Sequence, residues 1–360
     1  MRLNNLSLVN YKSFDSADFE LDPRINCFVG NNGVGKTNVL DAVYHLAFAK
    51  SYFNPITLQN IRHDQDFFVI NGQFEKKNKQ EQVVVSAKRG AKRVVKRNGK
   101  LYEKISDHIG LIPLVIISPA DRDLIIEGSD TRRKFLDAVI SLGNHQYLTS
   151  VINYNKLKDQ RNALLKYFAA NHKFDSDALA VYDEQMIPLG TYIHEQRTSF
   201  LERFTPIFKE FYQKISRSAS EQVDIFYKSD FTDVDPASVF KNAQQKDLQL
   251  QYTSAGVHKD DLIFNLDGHA VKKYGSQGQQ KSFLTALKLA QFELIKNETG
   301  TTPILLLDDI FDKLDEDRVS QIIEMVNNDQ FGQLFISDTH PDRTERVIKE
   351  THQSYKMFQL

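Results

Sequence analysis

Eight consecutive residues, Gly30-Asn31-Asn32-Gly33-Val34-Gly35-Lys36-Thr37, match the pattern G-x-x-x-x-G-K-[ST] at every fixed position. Glycines allow a tight loop whose backbone N–H groups turn inward on phosphates. A lysine then reaches the β- and γ-phosphates, and a threonine hydroxyl serves Mg²⁺. A second group of residues fits the same chemistry. The apolar run at 304–307 ends in Asp308-Asp309. Asp308 would complete the Mg²⁺ shell, and Asp309 would orient or deprotonate the attacking water. A carboxylate capping the next element is the other reading of Asp309. A third group, Ser276, Gly278 and Gln279, opens an amphipathic run. A hydroxyl and a glycine at a helix start make either a second phosphate-binding surface or an ordinary helix cap. The chain is therefore expected to bind a nucleoside triphosphate with Mg²⁺.

These groups need particular elements behind them. Residues 24–29 read as a buried strand, and residues 38–47 as a helix whose positive end faces the loop. Residues 304–307, apolar without alternation, suit a central parallel strand. The first 120 residues are otherwise strand-rich, with strands expected at 67–74, 82–87 and 112–117. A strand at 93–97 leads into Asn98-Gly99, a type I′ hairpin signal. From 121 to 242 the periodicity turns helical. Leu179, Tyr182, Met186, Ile187 and Ile193 form one stripe, and residues 200–215 another that Pro206 should kink or bound. Strand character returns at 262–266. A helix over 279–296, a helix over 316–327 and a strand over 333–337 follow. The expected fold is α/β: a P-loop ATPase head with a mixed sheet, from 1–120 plus 250–360, and an inserted helical lobe at 121–249.

Composition sets the outer limits. The chain has 360 residues, 41% hydrophobic and 26% charged, enough for two or three domains of ordinary type. One cysteine, Cys27, allows no internal disulfide and points to the cytoplasm. The longest apolar run, 109–117, is too short to span a bilayer and contains Pro113, so no membrane role is expected. A net charge of −1 means that any affinity for nucleic acid must come from a local patch. Lys88, Arg89, Lys92, Arg93, Lys96, Arg97 and Lys100 form such a patch, with no acidic residue between them. On a hairpin they would meet backbone phosphates, or simply guard an exposed edge strand. Arg132-Arg133-Lys134, at a helix start, call for a phosphate or a carboxylate partner.

Taken together, these residues resemble the RecF family of bacterial recombination mediators, within the SMC/Rad50-like ATP-binding-cassette (ABC) ATPases. The likeness runs nearly end to end. Asn10-Tyr11-Lys12-Ser13-Phe14 resembles the opening strand of the wider class. Ser276-Gln277-Gly278-Gln279 resembles its signature L-S-G-G-Q, with Gln277 departing. Ser118-Pro119-Ala120-Asp121 and the run 128–137 resemble the stretch that leads into the helical lobe. Val257-His258-Lys259-Asp260-Asp261 resembles the family's P-H-R-D-D, with Val257 and Lys259 departing. Lys313-Leu314-Asp315, followed by Arg318, resembles the loop through which paired sites communicate. His340 stands where a γ-phosphate-sensing histidine is expected, although Asp338 or Thr339 also fits the register and a solvent-exposed loop histidine is the other reading. The family's arginine after the first helix is replaced, by Lys50 or Arg62. The resemblance implies a weak Mg²⁺-dependent, DNA-linked ATPase in which Ser276 meets the nucleotide of an opposite protomer. It implies an ATP-dependent homodimer on single-stranded and gapped double-stranded DNA, with RecR and RecO as partners in recombinase loading, replication restart and the SOS response. A scaffold that binds ATP without turning it over is the alternative left open by Asp309, one methylene shorter than glutamate. A transporter ATPase subunit is disfavoured by the long helical insertion.

Overall fold

A computed structural model describes residues 1–76, 78–216, 220–309 and 332–360. The expected helix at 316–327, the loop 313–315 and Arg318 lie outside the described residues. The chain divides into two compact units. One comprises Met1–Arg122, Lys214–Ser216 and Lys281–Leu360; the other comprises Asp123–Gln213 and Arg217–Gln280.

The first unit holds two sheets. Five parallel strands run in the order β14-β3-β13-β12-β8, with β3 Ile25–Val29, β8 Leu114–Ile117, β12 Ile304–Leu307, β13 Leu334–Asp338 and β14 Tyr355–Gln359. Strands β3, β12 and β13 are buried at every position, which is why they read as unbroken apolar runs. The other sheet is antiparallel, in the order β2-β1-β4-β5-β6-β7. Its strands are β1 Arg2–Tyr11, β2 Phe14–Glu20, β4 Phe67–Lys76, β5 Lys79–Lys88, β6 Val94–Arg97 and β7 Lys100–Leu101. Its inner face shows the alternation that its sequence promises: Phe68, Ile70 and Phe74 are fully buried, while Phe67 and Gln73 are exposed. Asn98 and Gly99 both adopt positive φ, as a type I′ turn between β6 and β7 requires.

Helix α1, Lys36–Phe48, packs on strands of both sheets. Its approach to the antiparallel sheet depends on Gly72, where a Cβ would come within 2.5 Å of Leu46 Cδ1 and 2.8 Å of the Phe74 ring. A buried amide joins the two sheets. The Gln333 side chain accepts from Leu3 N at 2.7 Å and donates to Leu3 O and Asp22 O, both at 2.8 Å. It thereby satisfies the backbone of β1 where a bulge between Leu3 and Asn5 interrupts the ladder.

The second unit carries the helices α2 Asp123–Ile126, α3 Ser129–Gly143, α4 His145–Asn171, α6 Pro236–Leu250 and α7 Val271–Tyr274, and all but the last three residues of α5 Ser176–Ser216. Two expectations are corrected. The stripes at 179–193 and 200–215 lie on one 41-residue helix, α5, which contains Pro188 and Pro206. Both prolines are exposed, and the helix runs on through Pro206, so no boundary falls there. The stretch to 242 is also not wholly helical. Strand β9, Val223–Lys228, pairs antiparallel with β10, Asp261–Leu266, which in turn pairs with β11, His269–Ala270. Aromatic and β-branched residues crowd β9 (Val-Asp-Ile-Phe-Tyr-Lys), a strand signal masked by the helical periodicity around it. Helix α8, Gln277–Thr299, and helix α9, Pro341–Lys349, complete the described elements. No described helix is long and apolar enough to cross a membrane.

Two imidazoles, His45 buried and His258 half-buried, give this fold a pH dependence. Burial pushes His45 from its ordinary 6.5 down to about 3, and His258 down to about 4. As pH falls below about 6.5 the unfolded imidazoles bind protons that the folded ones refuse until about 3 and 4, so stability declines across that window. Urea midpoints should therefore fall steadily on acidification, and less steeply in His45→Leu. A midpoint flat from neutrality to about pH 4 would contradict this assignment.

Candidate nucleotide site

The phosphate loop leaves the C-terminal end of β3 and enters α1, as a strand–loop–helix unit should. Gly30, Gly33 and Gly35 have φ of 149°, 86° and 115°, closed to most side chains. Gly35 is doubly constrained, because a Cβ there would meet Ser13 Oγ at 2.8 Å and Phe14 Cζ at 2.9 Å. It forms the N-cap of α1 with no side-chain cap, and the first turn contains no acidic residue. The first amides of the helix are therefore left for an anion. Lys36 is 5% exposed, and its Nζ donates to Gly30 O at 2.8 Å and Asn31 O at 2.9 Å. The loop's own carbonyls thus hold the ammonium where phosphate oxygens would replace them.

Strand order brings the acidic residues to this loop. β13 lies between β3 and β12, so Asp308 emerges one strand away at the same edge. Thr37 Oγ1 donates to Asp308 Oδ1 at 2.8 Å, and Ser337 Oγ donates to the same oxygen at 2.8 Å. Ser337 Oγ also accepts from Asp309 N at 2.9 Å, which fixes a backbone at Asp309 with φ of 46°. Burial raises the Asp308 carboxyl, as does the nearby charge of Asp309, while the Ser337 and Thr37 hydroxyls oppose the rise. A hydroxyl and a carboxylate in contact, both hard oxygen donors, fit Mg²⁺ shared with substrate phosphates. No group of three or more His, Cys, Asp or Glu among the described residues could hold a metal by itself.

Further contacts surround α1. Asp41, one helical turn after Thr37, is fully buried. It accepts from Tyr11 OH at 2.8 Å, Ser51 Oγ at 2.6 Å and Tyr52 N at 2.7 Å, and pairs with Lys12 at 2.5 Å. The segment after α1 is thus anchored by Ser51 and Tyr52. Of the two expected stand-ins for an arginine, Arg62 pairs with Asp15 at 2.9 Å and Lys50 is exposed. A cavity of about 640 Å³, lined by Lys12, Ser13, Ile61, His63 and Arg89, adjoins the loop through Ser13. His340 is exposed at the N-cap of α9, its Nδ1 2.8 Å from Thr339 Oγ1. Asp338 is the last residue of β13, and its carboxylate is taken by Arg343 and Thr344. Cys27 is buried in β3 with its thiol pushed up by burial, a packing residue.

Ser276 and Gln279 form a reciprocal cap in the second unit. Gln279 N donates to Ser276 Oγ at 3.2 Å, and Ser276 N donates to Gln279 Oε1 at 2.8 Å. The Ser276 hydroxyl proton remains available to an incoming acceptor, beside the small residue Gly278. The basic hairpin does not present one row. Arg97 lies on the inner face and forms a bidentate pair with Glu81 at 2.6 and 2.8 Å, holding that carboxyl down at about 2. Arg93 is half-buried, and Arg89 Nε donates to Gln65 O at 3.1 Å. Lys88, Lys92, Lys96 and Lys100 are exposed, with no ion pair among the described residues. Arg132 and Arg133 find their partners within the fold. Arg132 Nε donates to Asp261 at 2.7 Å, and Arg133 donates to Asp260 O at 2.7 Å.

The family model for the RecF/RecN/SMC N-terminal domain matches residues 2–359. The "DNA replication and repair protein RecF" of Flavobacterium johnsoniae is 60% identical over 360 residues, covering all of both chains. This chain belongs to the RecF family. Two solved structures of the recombination mediator RecF in the RecFOR pathway are similar, each at 27% identity. The one described with ATPrS gives a TM-score of 0.88 and covers 99% of this chain and 95% of that one. The one described with ATP gives 0.87, covering 94% and 92%. The α/β fold is accordingly that of the ABC-type ATPase heads to which RecF belongs, as the motifs implied. Ser337, Asp41 and Lys12 carry contacts that motif reading did not assign. Asp41 had a signal, since the i, i+4 spacing puts it on the same helix face as Thr37. Ser337 had none, because only the strand order brings it to Asp308.

Proposed function

We propose that this chain is an ATP-dependent DNA-binding repair protein whose two copies close around ATP, with weak Mg²⁺-dependent hydrolysis releasing them. The convergence of Thr37 and Ser337 on Asp308 beside a phosphate loop is the observation that carries the reading. The loop amides Gly30 to Thr37 and Lys36 bind the triphosphate, and the cavity beside Ser13 receives the nucleoside. Thr37 and Asp308 hold Mg²⁺, which neutralises charge on the β- and γ-phosphates. Asp309 orients the attacking water, with its backbone set by Ser337. Ser276, Gly278 and Gln279 complete the site on the opposite copy, and His340 lies at the edge of β13 for contact with the γ-phosphate. DNA lies along the four unpaired lysines Lys88, Lys92, Lys96 and Lys100, whose uniform charge suits single-stranded and gapped duplex DNA of any sequence. Membership of the RecF family supports cytoplasmic action with RecO and RecR in recombinase loading.

Sedimentation with and without ATP, and with a gapped duplex at two salt concentrations, tests this reading. Monomers should become dimers with ATP, and Lys36→Ala should remain monomeric. Replacing Lys96 and Lys100 with glutamate should weaken DNA binding and flatten its salt dependence while leaving ATP-driven dimerisation intact. ATP-independent monomers bound stoichiometrically to DNA would overturn the mechanism.

A further inference from the structure

Beside Ser276 stands an aromatic residue with no role in the reading above. Tyr274 is 70% exposed, more than any other large hydrophobic side chain among the described residues. It is held rather than loose. It closes the single turn of α7, where Gly275 N returns to Val271 O at 3.0 Å. Gly275 permits that closure, since a Cβ would meet Val271 O at 2.9 Å. The His269 ring braces the tyrosine from one side, with centroids 5.2 Å apart and planes inclined at 50°. Lys273, next to it, is also exposed and has no ion pair among the described residues. A positioned aromatic plane, a lysine and the Ser276 hydroxyl thus occupy one short exposed stretch, apolar and cationic together. A nucleotide offers the matching combination of a flat base and phosphates.

We infer that Tyr274 packs on the nucleoside of the ATP held in a second copy's phosphate loop, as a positioning residue that couples nucleotide occupancy to dimerisation. This rests on the ATP-driven dimer proposed above. In that dimer Ser276 of one copy faces the other copy's phosphates, and Tyr274 is two residues away from it. Stacking on a base is favourable enough for its loss to be read in the ATP concentration that drives association.

The test uses the full-length protein and three arms. In the first, wild-type chain is sedimented against increasing ATP; failure to dimerise would remove the parent reading itself. In the second, Tyr274→Ala should need about tenfold more ATP for half-maximal dimerisation, whereas Tyr274→Phe, which keeps the plane, should match wild type. In the third, Lys36→Ala and Tyr274→Ala chains are mixed with an azido-adenine photoaffinity analogue of ATP. The Lys36→Ala chain cannot hold the analogue itself, yet it should be labelled in the mixture and not alone. If wild type dimerises while Tyr274→Ala shows the same midpoint and labelling stays on the Tyr274→Ala chain, the inference is wrong. A loss of DNA affinity in Tyr274→Ala without nucleotide would also overturn it, in favour of stacking on an unpaired DNA base.

Discussion

Asp308→Asn should raise the thermal midpoint of the nucleotide-free protein by about 2–4 °C, roughly 1 kcal/mol, while reducing Mg²⁺-dependent hydrolysis by roughly a hundredfold or more. The two effects have one origin. Asp308 is 4% exposed, and burial raises its carboxyl above the ordinary 3.8. A carboxyl raised on folding favours the fold fully below its unfolded value and loses that contribution as pH rises through the folded value. At neutral pH the ionised group is therefore a net cost. Asparagine keeps the oxygen that matters to the fold, because Thr37 and Ser337 both donate to Oδ1 alone. It gives up the negative charge that the proposed site would offer Mg²⁺. Such an exchange of stability for function is common at sites that concentrate like charge. The stability gap should close as pH is lowered toward 3.8, where wild type also becomes neutral at this position. A neutral-pH midpoint for Asp308→Asn below that of wild type would contradict the argument.

What could be read in advance follows the physics of each signal. The phosphate loop, α1, β12 and the type I′ turn were legible because each depends on local backbone demands: glycines at positive φ, an unbroken apolar strand, Asn-Gly. The role of Ser337 depends on β13 lying between β3 and β12, a fact of strand order that no local pattern encodes. The hairpin failed in a different way. The pleat sends Arg97 to the side of the buried Val83 and Lys96 to the side of Val84, so the cations do not share one face. Glu81, outside the basic run, then claims Arg97. Pro206 marks no boundary because α5 continues through it, the buried face of a 41-residue helix outweighing the local cost of one proline.

Arg197→Met should cost the helical unit about 3–5 kcal/mol, the largest stability loss expected of any change named here. Arg197 is 3% exposed, in the middle of α5. Its NH1 donates to Asp260 Oδ2 at 2.6 Å and to Val257 O at 2.7 Å. Its NH2 donates to Asp137 Oδ1 at 2.9 Å, and its Nε donates to Tyr147 OH at 3.0 Å. One guanidinium thus joins both family-specific runs, 128–137 through Asp137 and 257–261 through Asp260. Arg132 and Arg133 add Asp261 and the Asp260 carbonyl to the same junction. These runs therefore fold the lobe, with Asp137, Asp260, Asp261, Arg132 and Arg133 engaged within it. Methionine would leave Asp260 buried with hydroxyls in place of a cation, those of Tyr227, whose OH lies 2.5 Å from its Oδ2, and Ser229. Burial already raises the Asp260 carboxyl against the pull of Arg197, and without Arg197 it should rise further. Stability of the variant should consequently recover on mild acidification, opposite in sign to the histidine effect on the wild-type fold. Adding Asp260→Asn should restore part of the loss at neutral pH, because it removes the stranded charge. Urea unfolding of both variants across pH reads these outcomes directly. If Arg197→Met matched wild type at neutral pH, Arg197 would not be the junction on which the lobe depends.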